Sequence, residues 1–336
     1  MPMISATPTR RSLLRVAGTS AALAAPMLRR ADAAGVKRIR YAHSAPVAHG
    51  WQVWGVQFKQ SLEQRTGGKL QVVIYPNAQM GTERDTAQAV RVGSLEMGAV
   101  GVALMNWVPD MSITDAPFLF PTRPQAYAAL DGALGNELKR RSLAQGFRLV
   151  GWTDLGYRVM TNNKHQISKV ADMRDLKMRV PDSKSYIAMM QATGASIVTV
   201  DLSELYLALR QGVADGQETP PSVIKSNKYY EVQKYLARTN HILTTAYVVV
   251  NPAAFDSLSP QEQTAFLAAS DDATRYLRDY TQRDEAASFA FLKDKGMQLN
   301  LDVDIESFRT VCTAVWPKFP ELFRPDLLRL AQEAHA

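Results

Sequence analysis

Cysteine is nearly absent: of 336 residues only Cys312 carries a thiol. One sulfur can neither close a disulfide framework nor build a cysteine-based zinc site, and no motif around it marks a nucleophile. Its expected place is inside a helix near the C-terminus. Nucleotide and acyl-transfer signatures are missing as well, with no Gly-x-Ser-x-Gly elbow, no phosphate loop and no Gly-x-Gly-x-x-Gly after a strand. The histidines, His43, His49, His165, His241 and His335, lack the i, i+4 spacing expected of zinc ligands. No stretch beyond the first 33 residues approaches the ~18 consecutive apolar residues of a membrane span. A strong charge of one sign is lacking too. The formal net charge is +7, but Arg10, Arg11, Arg15, Arg29 and Arg30 face only Asp32 in the first 33 residues, so most of the surplus sits there. The rest is nearly balanced, and no nucleic-acid partner is expected.

What is present begins with an address. Thr-Arg-Arg-Ser-Leu-Leu-Arg from Thr9, a small-apolar run from Val16 to Leu28 and Ala31-Asp32-Ala33 follow the order of a bacterial export signal. The Arg10-Arg11 pair resembles the twin-arginine variety. Residues 1–33 are therefore expected to be removed near Ala33, leaving a soluble protein in the periplasm. With 46% hydrophobic side chains the remainder can bury a large core, in about two domains by length.

Strand character at Lys37 to Ala42 is followed by Trp51, Trp54, Phe58 and Leu62, one face of a helix that Gly67-Gly68 stops. Lys69 to Tyr75 reads as a strand, Thr82 to Val92 as a helix, and Met97 to Ala103 as a buried strand. This alternation predicts an α/β domain with a largely parallel sheet. A second series starts near Arg148, with strands at Leu149 to Trp152, Tyr157 to Thr161, Lys177 to Val180 and Ile197 to Val200. Helices are expected near Lys184 to Thr193 and, capped by Ser203, up to Gln211. From Pro260 to Leu292 neither Gly nor Pro interrupts a helical pattern, which at 1.5 Å per residue would run roughly 50 Å and reach both lobes.

Two arginines stand apart by context. Arg158 lies in a short strand-like segment, and Arg179 lies between Met178 and Val180, so that alternation turns it to the opposite face from both. If that face borders a cleft, its guanidinium can grip a carboxylate through two parallel hydrogen bonds; otherwise it forms a structural ion pair.

Several runs, in order, carry a resemblance: TGGK (66–69), YPNAQMG (75–81), APFLF (116–120), DLKMRVP (175–181), YLALRQGVADGQE (206–218), YEVQKY (230–235) and TNHI (239–242). From about residue 38 to 320 the chain resembles the solute-receptor subunit of tripartite ATP-independent periplasmic (TRAP) transporters, the DctP family. The resemblance implies a two-lobed periplasmic-binding-protein-like α/β fold, each lobe a sheet flanked by helices, with a long helix spanning them. Lobe I would comprise 34–155 and 244–283, and lobe II 156–243 and 284–336. It implies a non-enzymatic, monomeric receptor that captures a small carboxylate and delivers it to TRAP membrane subunits.

Residue by residue, the resemblance implies that Arg179 pairs with the ligand carboxylate and Arg158 supplies a second donor. Many members carry Asn after Asp-Gly-Gln-Glu, where this chain has Thr219, which keeps a hydroxyl but lacks the amide. Glu218 corresponds to a position that helps hold a cation in the keto-acid branch, and so marks where a ligand-bridging cation would sit; no other cofactor is implied. Glu83 and His43 fall where the distal part of the ligand is often contacted, whereas Trp51, Trp54 and Phe118 are expected in the core. The charged pair of the sialic-acid branch is replaced by Gly101 and Leu104, which disfavours that ligand. The rival reading is an exported enzyme acting on acidic sugars or organic acids, with Glu83 and Glu218 as an acid–base pair.

Overall fold

The computed structural model describes residues 36–334; the expected export segment and His335 lie outside them. Eleven strands occur among the described residues: β1 (Lys37–Ala42), β2 (Leu70–Tyr75), β3 (Met97–Val100), β4 (Arg148–Tyr157), β5 (Val159–Asn162), β6 (Lys177–Val180), β7 (Ser196–Thr199), β8 (Gly216–Thr219), β9 (Tyr235–Ala237), β10 (Leu243–Val250) and β11 (Gln298–Asn300). They form two sheets, in the orders β2-β1-β3-β10-β4 and β11-β9-β5-β8-β6-β7. Each is flanked by helices, giving the two lobes.

The sheets are mixed rather than largely parallel. β1 runs parallel to β2 and β3, but β10 returns from the second lobe and lies antiparallel between β3 and β4. In the second sheet β5 is antiparallel to β8 and β9. Local periodicity could not show this, because both departures come from strands that cross between lobes.

The helix Gly50–Arg65 buries Trp51, Trp54, Phe58 and Leu62 as its spacing requires. Trp54 stacks on Phe58, and its Nε1 donates to Thr274 at 3.1 Å. Thr274 belongs to the 35-residue helix Pro260–Asp294, opened by a capping box at Ser259 and Glu262. That helix packs on Gly50–Arg65 and β4 in the first lobe, and Lys225 of the second lobe reaches its Asp284 at 2.9 Å.

β3 ends at Val100, not near Ala103: the carboxylate of Glu83 takes the N–H of Gly101 at 2.9 Å, and a 3₁₀ turn follows over Val102–Asn106. Ser203 does not cap its helix, which spans Leu205–Arg210, because its hydroxyl and N–H both go to Asp201. The segment expected in the second lobe as residues 284–336 is, over its described residues, divided between the lobes. Phe308 and Cys312 of the helix Ile305–Thr313 are buried in the second lobe, but Leu322, Phe323, Leu327 and Ala331 pack into the first-lobe core. Burial pushes the Cys312 thiol up to about 12.

β4 ends at Tyr157 and β5 begins at Val159, so Arg158 is the one residue between the sheets. Its N–H donates to Ile242 O at 2.8 Å, tying the outgoing crossing to the returning one. Just before it Gly156 has φ of 105°, a conformation that favours glycine, opposite an irregularity at Thr244 and Thr245.

Candidate functional site

Two adjoining cavities lie between the lobes. The inner one, about 50 Å³, is walled by residues of both, among them Trp51, Gly101, Arg158, Arg179, Thr219 and Thr245. The outer one, about 330 Å³, continues past Glu83 to Asn106, Asp182, Asp201 and Glu204. Glu83, Val102, Arg179, Pro181 and Leu202 line both, so the two are compartments of one cleft.

Arg179 stands at the boundary. Met178 and Val180 turn into the second-lobe core, which leaves the arginine on the cleft face, as strand alternation requires. Its Nε and Nη2 both donate to Val200 O, at 2.8 and 2.5 Å, which fixes the plane of the guanidinium. Among the described residues no carboxylate lies within ion-pair distance of it. Burial lowers its proton affinity, against the opposing pull of Tyr229, Glu218 and Glu83. A buried guanidinium without a counter-ion is costly and calls for an anion.

Arg158 is differently placed. Its Nε and Nη2 form a two-pronged pair with the Glu218 carboxylate, and Nη1 donates to Thr244 Oγ1 at 3.2 Å. Its guanidinium lies 4.9 Å over the Tyr186 ring. Burial works against both charges, but each partner outweighs it, holding Glu218 below the usual carboxylate range and Arg158 above the usual guanidinium one. His241 sits 3.2 Å from the same carboxylate. Burial lowers its proton affinity further than Glu218 raises it, so the ring is neutral: Nε2–H donates to Glu218, and Nδ1 accepts from Thr239 at 2.7 Å. Glu218 is fully buried and does not line the cleft. It therefore cannot share one reaction space with Glu83, as an acid–base pair must. Among the described residues no group of three His, Cys, Asp or Glu is placed to hold a metal ion.

Thr219, at the end of β8, lines the inner chamber, and its buried hydroxyl has no partner in the protein. The same holds for Nε1 of Trp51, so this residue, expected in the core, forms part of the cleft wall. Buried donors are normally paired, and two orphans beside Arg179 mark where an acceptor belongs. Glu83 opens the helix Glu83–Arg91; burial and then Asp201 push its carboxyl up to about 7, against the Gly101 N–H and Arg179.

His43 does not reach the cleft. It packs beside Trp51, with Nε2 2.9 Å from Gln52 Oε1. The histidine at the inner chamber is His49, whose Nδ1 caps the helix Gly50–Arg65 by accepting from Trp51 N at 3.1 Å. Burial, then His43, hold His49 down at about 3, so it is neutral. Trp54 lies in the core, and Phe118 is away from the cleft under Arg309. At the mouth Arg84 of the first lobe faces Asp182 of the second at 3.6 Å, an exposed pair of small energetic weight.

Comparison with known proteins gives a consistent result. The family model described as bacterial extracellular solute-binding protein, family 7, matches residues 41–322. A solute-binding protein of Verminephrobacter eiseniae is 36% identical over 267 residues, covering 79% of this chain and 80% of the relative. The 2,3-diketo-L-gulonate-binding periplasmic protein of Escherichia coli is 30% identical over 271 residues, covering 80% and 83%. Among solved structures, a TRAP periplasmic solute-binding protein from a Polaromonas species, bound to D-erythronate, superposes with a TM-score of 0.86 at 31% identity, covering 89% of this chain and 99% of that one.

Proposed function

The chain belongs to family 7 of the bacterial extracellular solute-binding proteins, the receptors of TRAP transporters, and on that premise we propose that it holds a small organic acid with its carboxylate in the inner chamber. The observation that carries this reading is Arg179, buried in the cleft wall with no carboxylate of its own. The free edge of its guanidinium takes the carboxylate two-pronged, while the Thr219 hydroxyl and the Trp51 indole N–H, both unpartnered, take the remaining lone pairs. The D-erythronate of the Polaromonas relative and the diketogulonate of the Escherichia coli one are carboxylates of suitable kind. Arg158 shapes the chamber rather than gripping the ligand through its full fork, since Glu218 already occupies two of its nitrogens. Glu218 is the anchor of that arginine and needs no bridging cation. The receptor acts as a monomer, performs no covalent chemistry, binds no nucleic acid and hands its solute to TRAP membrane subunits.

Calorimetric titration with carboxylic acids tests this. Arg179→Ala is expected to weaken binding of any acid that the wild type takes by at least a hundredfold, about 3 kcal/mol, with the melting curve little changed. Affinity preserved in that variant would refute the assignment. Export is a separate expectation: mass spectrometry of the periplasmic protein should find a chain starting near Ala34, and retention of Arg10 and Arg11 would contradict it.

A further inference from the structure

The two chambers differ in what they offer a ligand. Donors wall the inner one: Arg179, the Thr219 hydroxyl and the Trp51 indole N–H, the last two buried and unpartnered. The outer one adds acids: Glu83, which like Arg179 lines both chambers, then Asp201 and Glu204, with Asp182 answered by Arg84. Glu83, Asp201 and Glu204 form no ion pair with any described residue. Arg158 adds no net positive charge to the chamber, because Glu218 compensates it. The cleft thus holds one uncompensated cation, Arg179, and the Glu83 carboxyl where its two chambers meet, and the uncompensated carboxyls of Asp201 and Glu204 in the outer chamber alone.

We propose that the site selects acids with a single carboxylate whose further carbons carry hydroxyl groups, and that Glu83 and Asp201 are the filter that rejects a second carboxylate. This rests on the carboxylate-receptor reading above. With the carboxylate seated on Arg179, the far end of a four- to six-carbon acid enters the outer chamber, whose volume of about 330 Å³ accommodates it. Hydroxyl hydrogens there meet carboxylate lone pairs. Gly101 N–H uses part of the Glu83 carboxyl and Ser203 one oxygen of Asp201, so acceptor capacity remains on both. A terminal carboxylate instead meets like charge in a half-dry space, which at contact distance costs on the order of a hundredfold in affinity.

The test uses pairs of acids that differ only at the far carbon: D-erythronate against meso-tartrate, and longer aldonates against their aldarates, titrated into the wild-type chain at pH 8, where Glu83 at about 7 is ionised. In each pair that binds, the monocarboxylate is expected to be about a hundredfold tighter, and Glu83→Gln with Asp201→Asn to narrow that gap at least tenfold. A panel in which the dicarboxylates bind as tightly as their partners, or in which 4-aminobutanoate outcompetes every aldonate, overturns the filter while leaving the carboxylate receptor standing. Aldonate binding that survives Arg179→Ala fails the receptor reading itself, so the two failures are distinct.

Discussion

Glu218→Ala is expected to destabilise the protein by about 3–5 kcal/mol, because it strips the counter-charge from a guanidinium that cannot lose its proton. Arg158 is almost wholly buried between the two sheets, and its other partners are a hydroxyl, the carbonyl of Glu218 and the face of Tyr186. None of them carries a formal charge to replace the carboxylate. The neutral His241 would also lose the acceptor for its Nε2–H. For a chain of this size the melting midpoint should fall by roughly 6–10 °C. The partner change separates a charge effect from simple loss of volume. Arg158→Met combined with Glu218→Leu removes both charges, so the double variant should be more stable than Glu218→Leu alone, a coupling that the double-mutant cycle through Arg158→Met reads directly. A Glu218→Ala protein within 1 kcal/mol of wild type would mean that the pair does not support the lobe crossing.

The parts of this architecture that are written locally could be read in advance. Trp51, Trp54, Phe58 and Leu62 are spaced so that only a helix puts them on one side, and the helix does so. The absence of Gly and Pro after Pro260 predicts the long helix, which ends within two residues of the expected Leu292. Arg179 between two apolar neighbours had one face open to it, and that face is the cleft. What could not be read depends on long-range pairing. β10 enters the first sheet only after the chain has built most of the second lobe, so nothing near Leu243 to Val250 reveals its antiparallel neighbours.

The site divides along the same line. Arg158 and Glu218 are 60 residues apart, and only β5 lying beside β8 turns two isolated charges into one buried pair. Two histidines near the start were equally placed by composition. β1 ends at Ala42 and turns His43 back against Gln52, while His49 opens a helix whose first turn faces the cleft. Trp51 satisfied the core stripe and the cleft wall at once, and a period-3.6 pattern cannot tell those faces apart. Its orphaned indole N–H is a fact of packing, visible only once every neighbour is in place.

Asp115→Asn should stabilise the protein at pH 8 by about 4 kcal/mol and leave it unchanged near pH 4. Asp115 closes the 3₁₀ segment Pro109–Asp115 in the first lobe and accepts the Tyr186 hydroxyl of the second at 2.9 Å, while its other oxygen is buried without a partner. Burial, only partly opposed by Arg158, lifts its carboxyl to about 7 from 3.8. Between those values the folded chain keeps a proton that the unfolded chain releases. Its contribution is therefore intact below about pH 4 and declines by about 1.4 kcal/mol per pH unit until the folded group also ionises near 7. Asparagine is neutral throughout and still accepts from Tyr186, so the gap between variant and wild type isolates this one proton. The comparison matters because His49, held at about 3, gives wild-type stability the opposite slope below the ordinary histidine range. Urea unfolding at intervals from pH 4 to pH 8 follows the gap. A difference that stays constant with pH would show that Asp115 is ionised in the folded state at all of these values, with the Arg158 charge outweighing its burial.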